Sequence, residues 1–333
     1  MDCSWRRTGS QQYMPRPTKK RRILESDSHS DDAITEAVES LDEDDLPTCY
    51  VVADDFGVSL PRNRGIIRAM KDGVVTHTSI MANGLAVDDA IALAREHKVL
   101  DRLGLHLNLT EGPPLLGDQV PSLCGPTTGV MRGKRDFRAA CDARIVHVEE
   151  AAAEAAAQLR WFRERVGRPA ARVDGHQHCH VHPALCAALA ATFATAGVTS
   201  TRVPVEDCPN GALCALCSKV SSEAMKAAEV FAAAGVAAVP RSTAFVGLSL
   251  CGGGYSVGQF VGAVRAQVVA RRGVRAVEVM VHPGYSGGEW DAFDASNERE
   301  DEMRVLCDPR LATALGRIVS LYAPGKGADL ALP

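Results

Sequence analysis

The chain has 333 residues, a formal net charge of −4 and a hydrophobic content of 46%. This length supports one large hydrophobic core or two domains of ordinary size, and the weak negative charge argues against nucleic acid as a partner. No apolar run reaches the length of about 18 residues that a membrane span requires, so we expect no membrane partner.

The composition of the first 46 residues differs from that of the rest. A basic stretch, Lys19 to Arg22, precedes a strongly acidic stretch that ends at Asp45. A highly charged segment with few apolar side chains cannot bury enough surface to fold. We therefore expect a disordered N-terminal tail over residues 1–46 and a folded domain over residues 47–333.

The location of the protein is predicted from two features of the sequence. The N-terminus lacks the apolar segment of a secretory signal peptide, so we interpret the 11 cysteines as reduced thiols and expect a cytoplasmic protein. The basic stretch Lys19–Arg22 fits a nuclear localisation signal, and it fits equally a solvated tail without a specific use.

From Cys49 onward, short apolar runs alternate with helical patterns. The predicted strands cover residues 49–53, 74–81, 103–109, 170–173, 200–203, 243–246 and 277–281. The predicted helices cover residues 62–71, 86–96, 148–166, 184–196, 222–234, 257–272 and 311–321. This alternation favours parallel strand–helix–strand units. We predict an α/β fold, a regular or distorted TIM-barrel-like (β/α) barrel; a doubly wound open sheet is the alternative.

Four of the ten histidines lie within one short segment, at positions 176, 178, 180 and 182. The apolar run before this cluster predicts a strand, and the segment after Pro183 predicts a helix. Active sites of α/β proteins are built where strands end and helices begin. Because imidazole binds metals and titrates near neutrality, the cluster indicates a metal site, an acid–base site, or both.

Other predicted strands also end in polar side chains. Asp54 and Asp55 follow the first strand, His106 and Asn108 share one face of the third, and His282 ends the last. Each residue has an ordinary alternative: either aspartate could cap a turn, His106 could be a core histidine, and His282 could begin a turn. Taken together, they favour a site.

One carboxylate and two histidines form a ligand set that leaves coordination positions open for water. A metal bound there lowers the pKa of its water to about 7 and polarises a carbonyl group. A neighbouring carboxylate could act as general base and a histidine from another strand as general acid. These residues therefore predict metal-assisted hydrolysis of an amide or an ester.

Five short motifs in this order resemble those of the YdjC-like (ChbG-type) carbohydrate deacetylases. The motifs are Ala53–Gly57, Asn83–Gly84, Gly104–Thr110, Asp174–His178 and Val281–Pro283. The resemblance covers about residues 50–285, and residues 206–256 within it do not align. It implies a (β/α) barrel related to the polysaccharide deacetylases. It also implies removal of N-acetyl groups from N-acetylglucosamine-type sugars or chitooligosaccharides.

The resemblance also implies roles for individual residues. Asp55, His106 and His176 would bind one divalent ion, Mg²⁺ or Zn²⁺. Asp54 would be the base that activates the metal-bound water, and His282 would be the general acid. Arg202 would bind the sugar or orient Asp54. Asp174, His178 and Asn108 would contact the substrate or support the metal ligands. His180 has no assigned role, and we expect His182 to pack at the start of its helix.

Two other functions stay open. The protein could be a metal-dependent hydrolase of a different amide or ester, or a non-catalytic sugar-binding protein whose tail recruits partners. The expected partner in either case is a small molecule or an oligosaccharide. A homodimer is expected from the general frequency of such assemblies.

Overall fold

Strands and helices alternate along the computed structural model, which describes residues 46–126, 129–207, 215–238, 243–250, 255–271 and 273–323. The strands are β1 (Thr48–Phe56), β2 (His77–Ile80), β3 (Leu103–Leu107), β4 (Arg172–Gly175), β5 (Ser200–Thr201), β6 (Thr243–Val246), β7 (Ala276–Val281) and β8 (Ser320–Leu321). The helices are α1 (Leu60–Asp72), α2 (Val87–Glu96), α3 (Lys134–Asp142), α4 (Val148–Val166), α5 (Cys186–Thr195), α6 (Ala215–Ala233), α7 (Val257–Ala270), α8 (Glu298–Leu306) and α9 (Pro309–Leu315). Residues 1–45 of the predicted tail, with the basic stretch Lys19–Arg22, lie outside the described residues.

The sheet has the strand order β5-β4-β3-β2-β1-β7-β6, and β8 pairs with β1. Every pairing between these strands is parallel, as expected when helices connect successive strands. Because β1 lies between β2 and β7, the strands follow chain order around a curled sheet, as they do in a barrel. The prediction of a TIM-barrel-like α/β fold is confirmed, as a half-barrel.

The strands are buried because helices cover the outside of the sheet and loops cover its end. All six residues of β7 are buried, and a continuous apolar cluster joins the strands to the buried faces of the helices. Strands that are buried on both faces in this way are typical of parallel sheets. The carboxyl ends of the strands therefore meet at one edge, and they carry the polar side chains described below.

Helix α4 also fixes the loop that follows β3. The Gln158 side chain donates to the backbone carbonyl of Asn108 at 2.7 Å and accepts from the backbone amide of Asn108 at 3.1 Å. Glu154 accepts hydrogen bonds from the backbone amides of Leu115 and Leu116. Both side chains are buried, so these bonds satisfy backbone groups that water cannot reach.

One predicted helix is too long, and two helices were not predicted. The helix predicted over residues 311–321 ends at Leu315, and Ser320–Leu321 forms β8 instead. Ile318 and Val319 are β-branched and fully buried, which favours extended backbone over helix at this point. Helices α3 and α8 were not predicted, because both are short and strongly charged and each buries only a few apolar side chains.

The helix after the histidine cluster begins later than predicted. It starts at Cys186, whereas Pro183 lies in the turn before it.

No helix in the described part of the chain combines the length and the apolar character needed to cross a bilayer.

Candidate active site

A β-bulge in β1 directs two adjacent carboxylates into one site. Ala53 pairs with Thr78 and Phe56 with Ile80, so β1 contains one residue more than β2 across this interval. Asp55 adopts a φ of 66°, a left-handed conformation that is costly for any residue other than glycine. Adjacent side chains of a regular strand point to opposite faces; the bulge allows Asp54 and Asp55 to share one.

Asp55, His106 and His176 form a compact cluster of possible metal ligands. The Oδ1 atom of Asp55 lies 3.3 Å from Nε2 of His106 and 3.0 Å from Nδ1 of His176. These two nitrogens are themselves 3.3 Å apart. The three residues come from β1, β3 and the turn that follows β4, so the fold brings together ligands that are far apart in the chain.

The second nitrogen of each histidine contacts a further carboxylate. Nδ1 of His106 lies 2.7 Å from Asp174, and Nε2 of His176 lies 3.1 Å from Glu111. An ionised carboxylate only accepts hydrogen bonds, so each of these nitrogens carries the proton. The remaining nitrogens, Nε2 of His106 and Nδ1 of His176, are the ones that face Asp55.

The charges around this cluster favour a cation. Burial lowers the pKa of His106, but Asp54 and Asp174 outweigh it and raise that pKa to about 10. Burial raises the pKa of Asp55, but His176 and His106 hold it well below its usual range. The buried Oδ1 atom of Asp55 nevertheless has no hydrogen-bond partner. An unpaired carboxylate oxygen beside two imidazoles fits a divalent metal ion.

Asp54 belongs to a buried network of charged side chains. Arg202 donates two hydrogen bonds to Asp54, at 2.5 and 2.7 Å. The same guanidinium contacts Asp174 at 3.1 Å and Glu278 at 2.6 Å, and Arg172 pairs with both of those carboxylates. Arg202 is only 1% exposed. Its two hydrogen bonds therefore orient the Asp54 carboxylate.

The described residues contain a second group of possible metal ligands, and the charged network around Asp54 distinguishes it from the first. A second ligand group, Asp54, His106 and Asp174, has suitable spacing. Its two carboxylates are already neutralised by Arg202 and, at Asp174, also by Arg172. Burial raises the pKa of Asp54, Arg202 opposes this shift, and Asp174 adds to it, so that the net change is upward. Asp54 thus has the properties of a proton acceptor more than those of a metal ligand.

His282 lies at the end of β7, and its backbone amide and backbone carbonyl both form hydrogen bonds with side chains. Its amide donates to Glu302 at 3.0 Å, and its carbonyl accepts from Arg62 at 3.0 Å. Arg62 also lies 3.7 Å from Asp55, which connects His282 to the ligand cluster. Removal of water from the imidazole, together with Arg299 and Arg62, keeps the pKa of His282 well below its usual range.

The other histidines of the cluster lie outside the ligand set. His178 is buried edge-on against Phe245, with no hydrogen bond at Nδ1, and burial and Arg202 keep its pKa well below the usual range. His180 contacts the backbone carbonyl of Arg202 at 2.9 Å. His182 lies before the turn that leads into α5, and its Nε2 atom is 3.4 Å from Asp142. The first of the four, His176, is therefore the one beside Asp55.

Asn108 contacts loop backbone at the site. Its Oδ1 atom accepts from the amides of Thr110 and Glu111, and its Nδ2 atom donates to the Glu111 carbonyl at 2.7 Å. Asn108 is fully buried, and these hydrogen bonds hold the loop that carries Glu111.

Sequence reasoning missed several residues of the site. Arg172 and Glu278 are charged residues within otherwise apolar strands, a pattern that could have indicated a buried ion pair. Glu111 and Arg62 carry no comparable signal, because a charged residue in a loop or in the first turn of a helix is ordinary. Their contacts depend on chain segments that meet only in the folded protein.

Comparisons with known proteins show the family to which this chain is similar. A family model described as YdjC-like protein matches residues 49–317. A carbohydrate deacetylase of Homo sapiens is 39% identical over 285 residues, which cover 80% of this chain and 86% of the relative. A carbohydrate deacetylase of Mus musculus is 36% identical over 307 residues, which cover 84% of this chain and 97% of the relative.

A solved structure shows the same fold. It is that of a protein from Enterococcus faecalis V583, whose name proposes cellobiose-phosphate cleavage. The two structures superpose with a TM-score of 0.65 at 21% sequence identity, over 83% of this chain and 97% of that chain. At this identity the similarity concerns the fold alone.

Proposed function

This chain belongs to the YdjC-like family, and we propose that it is a metal-dependent hydrolase that removes N-acetyl groups from acetylated carbohydrates. The observation that carries the proposal is the meeting of Asp55, His106 and His176 beside Asp54. The curated relatives named carbohydrate deacetylases support the choice of substrate class, namely N-acetylglucosamine-type sugars or chitooligosaccharides.

Asp55, His106 and His176 are the residues that would hold the metal ion. A divalent ion there would lower the pKa of water and polarise the acetamide carbonyl. Two imidazoles favour zinc by ligand softness, whereas the carboxylate and the open positions also suit magnesium. Asp174 and Glu111 hold the two imidazoles in the orientation that such binding requires.

Asp54 acts as the general base in this proposal. Its carboxylate lies 4.0 Å from His106, next to the ligands and separate from them. The two hydrogen bonds from Arg202 fix its orientation, and burial raises its pKa. A carboxylate held in this way can accept the proton of the attacking water.

His282 acts as the general acid that protonates the leaving amine of the sugar. His282 follows β7, which lies on one side of β1, whereas His106 belongs to β3, which lies on the other side beyond β2. The two histidines therefore approach the aspartates of β1 from opposite sides. The surroundings of His282 lower its pKa, so the resting imidazole is neutral. As general acid it first takes up a proton within the site and then gives that proton to the amine. The substrate is a small molecule or an oligosaccharide; a homodimer and a cytoplasmic or nuclear location stay predictions.

Acetate release tests the proposal directly. The purified chain, stripped of metal and then loaded with Zn²⁺ or Mg²⁺, should release acetate from N-acetylglucosamine or from chitooligosaccharides of two to five units. Acetate esters of the same sugars form the comparison, because hydrolysis of esters alone would favour a different hydrolase. If the loaded protein binds metal and releases no acetate from any amide, the proposed activity is wrong.

A further inference from the structure

The backbone of Glu111 is fixed by two asparagine side chains from neighbouring strand ends. Asn108 donates to its carbonyl at 2.7 Å and accepts from its amide at 3.1 Å. Asn83 donates to the same carbonyl at 3.0 Å. A loop residue whose amide and carbonyl both have partners has little freedom to move, so the direction of the Glu111 side chain is set in advance.

Three donors converge on the Glu111 carboxylate. Oε2 lies 3.1 Å from Nε2 of His176 and accepts from the indole nitrogen of Trp290 at 3.1 Å. Oε1 accepts from the amide of Gln177 at 2.6 Å. Burial raises the pKa of Glu111, but the contacts with His176 outweigh it and lower that pKa to about 2.

These contacts suit a carboxylate. The indole nitrogen of Trp290 can only donate, so Oε2 of residue 111 must accept. A glutamine at position 111 would keep one acceptor oxygen and would remove the negative charge beside His176. Since Oε2 accepts, Nε2 of His176 carries its proton and the lone pair of Nδ1 points toward Asp55.

We propose that Glu111 is the positioning residue for His176: it selects the Nδ1-coordinating form of that imidazole, and the same carboxylate holds Trp290 at the edge of the site. The inference rests on the metal centre of the proposed function. Trp290 also packs on the backbone of Gly112, where a Cβ atom would lie 2.4 Å from the indole ring. Glu111 therefore joins a metal ligand to the loop that follows His282.

Zinc affinity of the full chain tests this role. We expect Glu111→Gln to weaken Zn²⁺ binding about 10- to 100-fold, as is typical when the carboxylate partner of a ligating histidine is lost. Glu111→Asp keeps the charge on a shorter side chain and should lie between the wild type and Glu111→Gln. Trp290→Phe removes only the indole donor and should bind Zn²⁺ within about threefold of the wild type, by the same reasoning.

The matched control is Glu150→Gln. Glu150 also accepts from a histidine, His147, at 2.9 Å, but this pair lies on the surface away from the ligands. Competition with a chromophoric chelator gives the dissociation constant, and thermal melts of the metal-free proteins show whether each variant is folded. The control should bind Zn²⁺ as the wild type does.

A second readout does not depend on affinity. Nitrogen chemical shifts of His176, measured by NMR, should show the Nε2-protonated form in the wild type and a mixture of both forms in Glu111→Gln. A folded Glu111→Gln variant with wild-type Zn²⁺ affinity and an unchanged His176 tautomer would overturn the inference. Failure of the wild type to bind Zn²⁺ or Mg²⁺ would instead overturn the proposed metal centre, so the two failures are distinguishable.

Discussion

Arg202 lies among three buried carboxylates, those of Asp54, Asp174 and Glu278. A buried ion pair gains little over a well-packed apolar contact, but removal of one partner leaves an uncompensated charge. Arg172 pairs with Asp174 and Glu278 and His106 contacts Asp174, whereas both oxygens of Asp54 accept hydrogen bonds from Arg202. The orientation of Asp54 therefore depends on Arg202.

We predict that Arg202→Met lowers the free energy of unfolding by about 3–5 kcal/mol, the range found when one member of a buried pair is removed. Urea denaturation measures it. The control is Arg304→Met, since Arg304 is 64% exposed on the side chain and pairs only at the surface, where such a change costs up to about 1 kcal/mol. Equal losses in the two variants would show that the network carries no special stability.

The two adjacent aspartates should respond differently to the same substitution. Asp55→Asn should lose metal, because it replaces the charged ligand between the two imidazoles. Asp54→Asn should keep the metal and lower turnover about 100- to 10,000-fold, the usual contribution of a general base. Elemental analysis of the purified variants gives the stoichiometry. Metal loss in Asp54→Asn with retention in Asp55→Asn would reverse the two roles.

At the scale of elements, helix α1 contacts the loop that carries His282. A Cβ atom at Gly65 would lie 2.4 Å from the Cα atom of Gly284. The amide of Tyr285 donates to the carbonyl of Pro61 in the first turn of the same helix. The absence of a side chain at position 65 therefore sets the distance between α1 and the segment after β7.

Gly65→Ala should separate α1 from this segment and reduce stability by about 1–3 kcal/mol, the usual cost of an overpacked contact. Acetate release should fall as well, because His282 lies two residues before Gly284. The matched control is Gly262→Ala in α7, where a Cβ atom meets nothing within 4 Å; this change should stabilise the helix by up to about 1 kcal/mol. Denaturation midpoints check both, and a stabilised Gly65→Ala variant would contradict the close contact.

The elements show why strand ends could be predicted better than helix ends. The apolar runs of β1, β3, β6 and β7 are buried on both faces, so their pattern in the sequence is strong. The segment over residues 318–321 has the same apolar character and was interpreted as helix, since a short apolar run does not distinguish the two structures. This segment pairs with β1, a contact between distant parts of the chain that a local sequence pattern does not reveal.

At the scale of the whole molecule, His77 couples folding stability to pH. It lies in β2, and its ring packs against the rings of Tyr50 and Tyr322. Burial lowers the pKa of His77 to about 3, and the charges of Arg172 and Arg102 act in the same direction. The unfolded chain therefore binds a proton below about pH 6.5 that the folded protein does not bind.

Stability should fall as the pH drops below this unfolded-state value, and at pH 5 the contribution of His77 amounts to about 2 kcal/mol. His77→Gln cannot take up the proton, so it should lose about 2 kcal/mol less than the wild type between pH 7.5 and pH 5. Urea denaturation at both pH values measures the difference. His147→Gln, which alters an exposed histidine, should behave as the wild type; equal pH slopes in all three proteins would refute the effect.

Most of the fold and part of the site could be predicted from local pattern. The alternation of strands and helices predicted the α/β barrel, and polar residues at strand ends indicated Asp54, Asp55, His106, His176 and His282. Glu111, Arg62 and the network of Arg172 with Glu278 could not be predicted in the same way. Their roles depend on partners from distant segments, and a single charged residue has no periodicity that would reveal them.

The sequence by itself determined the class of fold, the family resemblance and the candidate residues, because apolar periodicity and short motifs are local properties. The tertiary structure decided which atoms meet. It placed the first of the four clustered histidines beside Asp55, turned Asp54 toward Arg202 through a bulge in β1, and made Glu111 the partner of His176. These outcomes follow from the parallel sheet, which brings the ends of separate strands to one edge, and no short stretch of sequence contains that geometry.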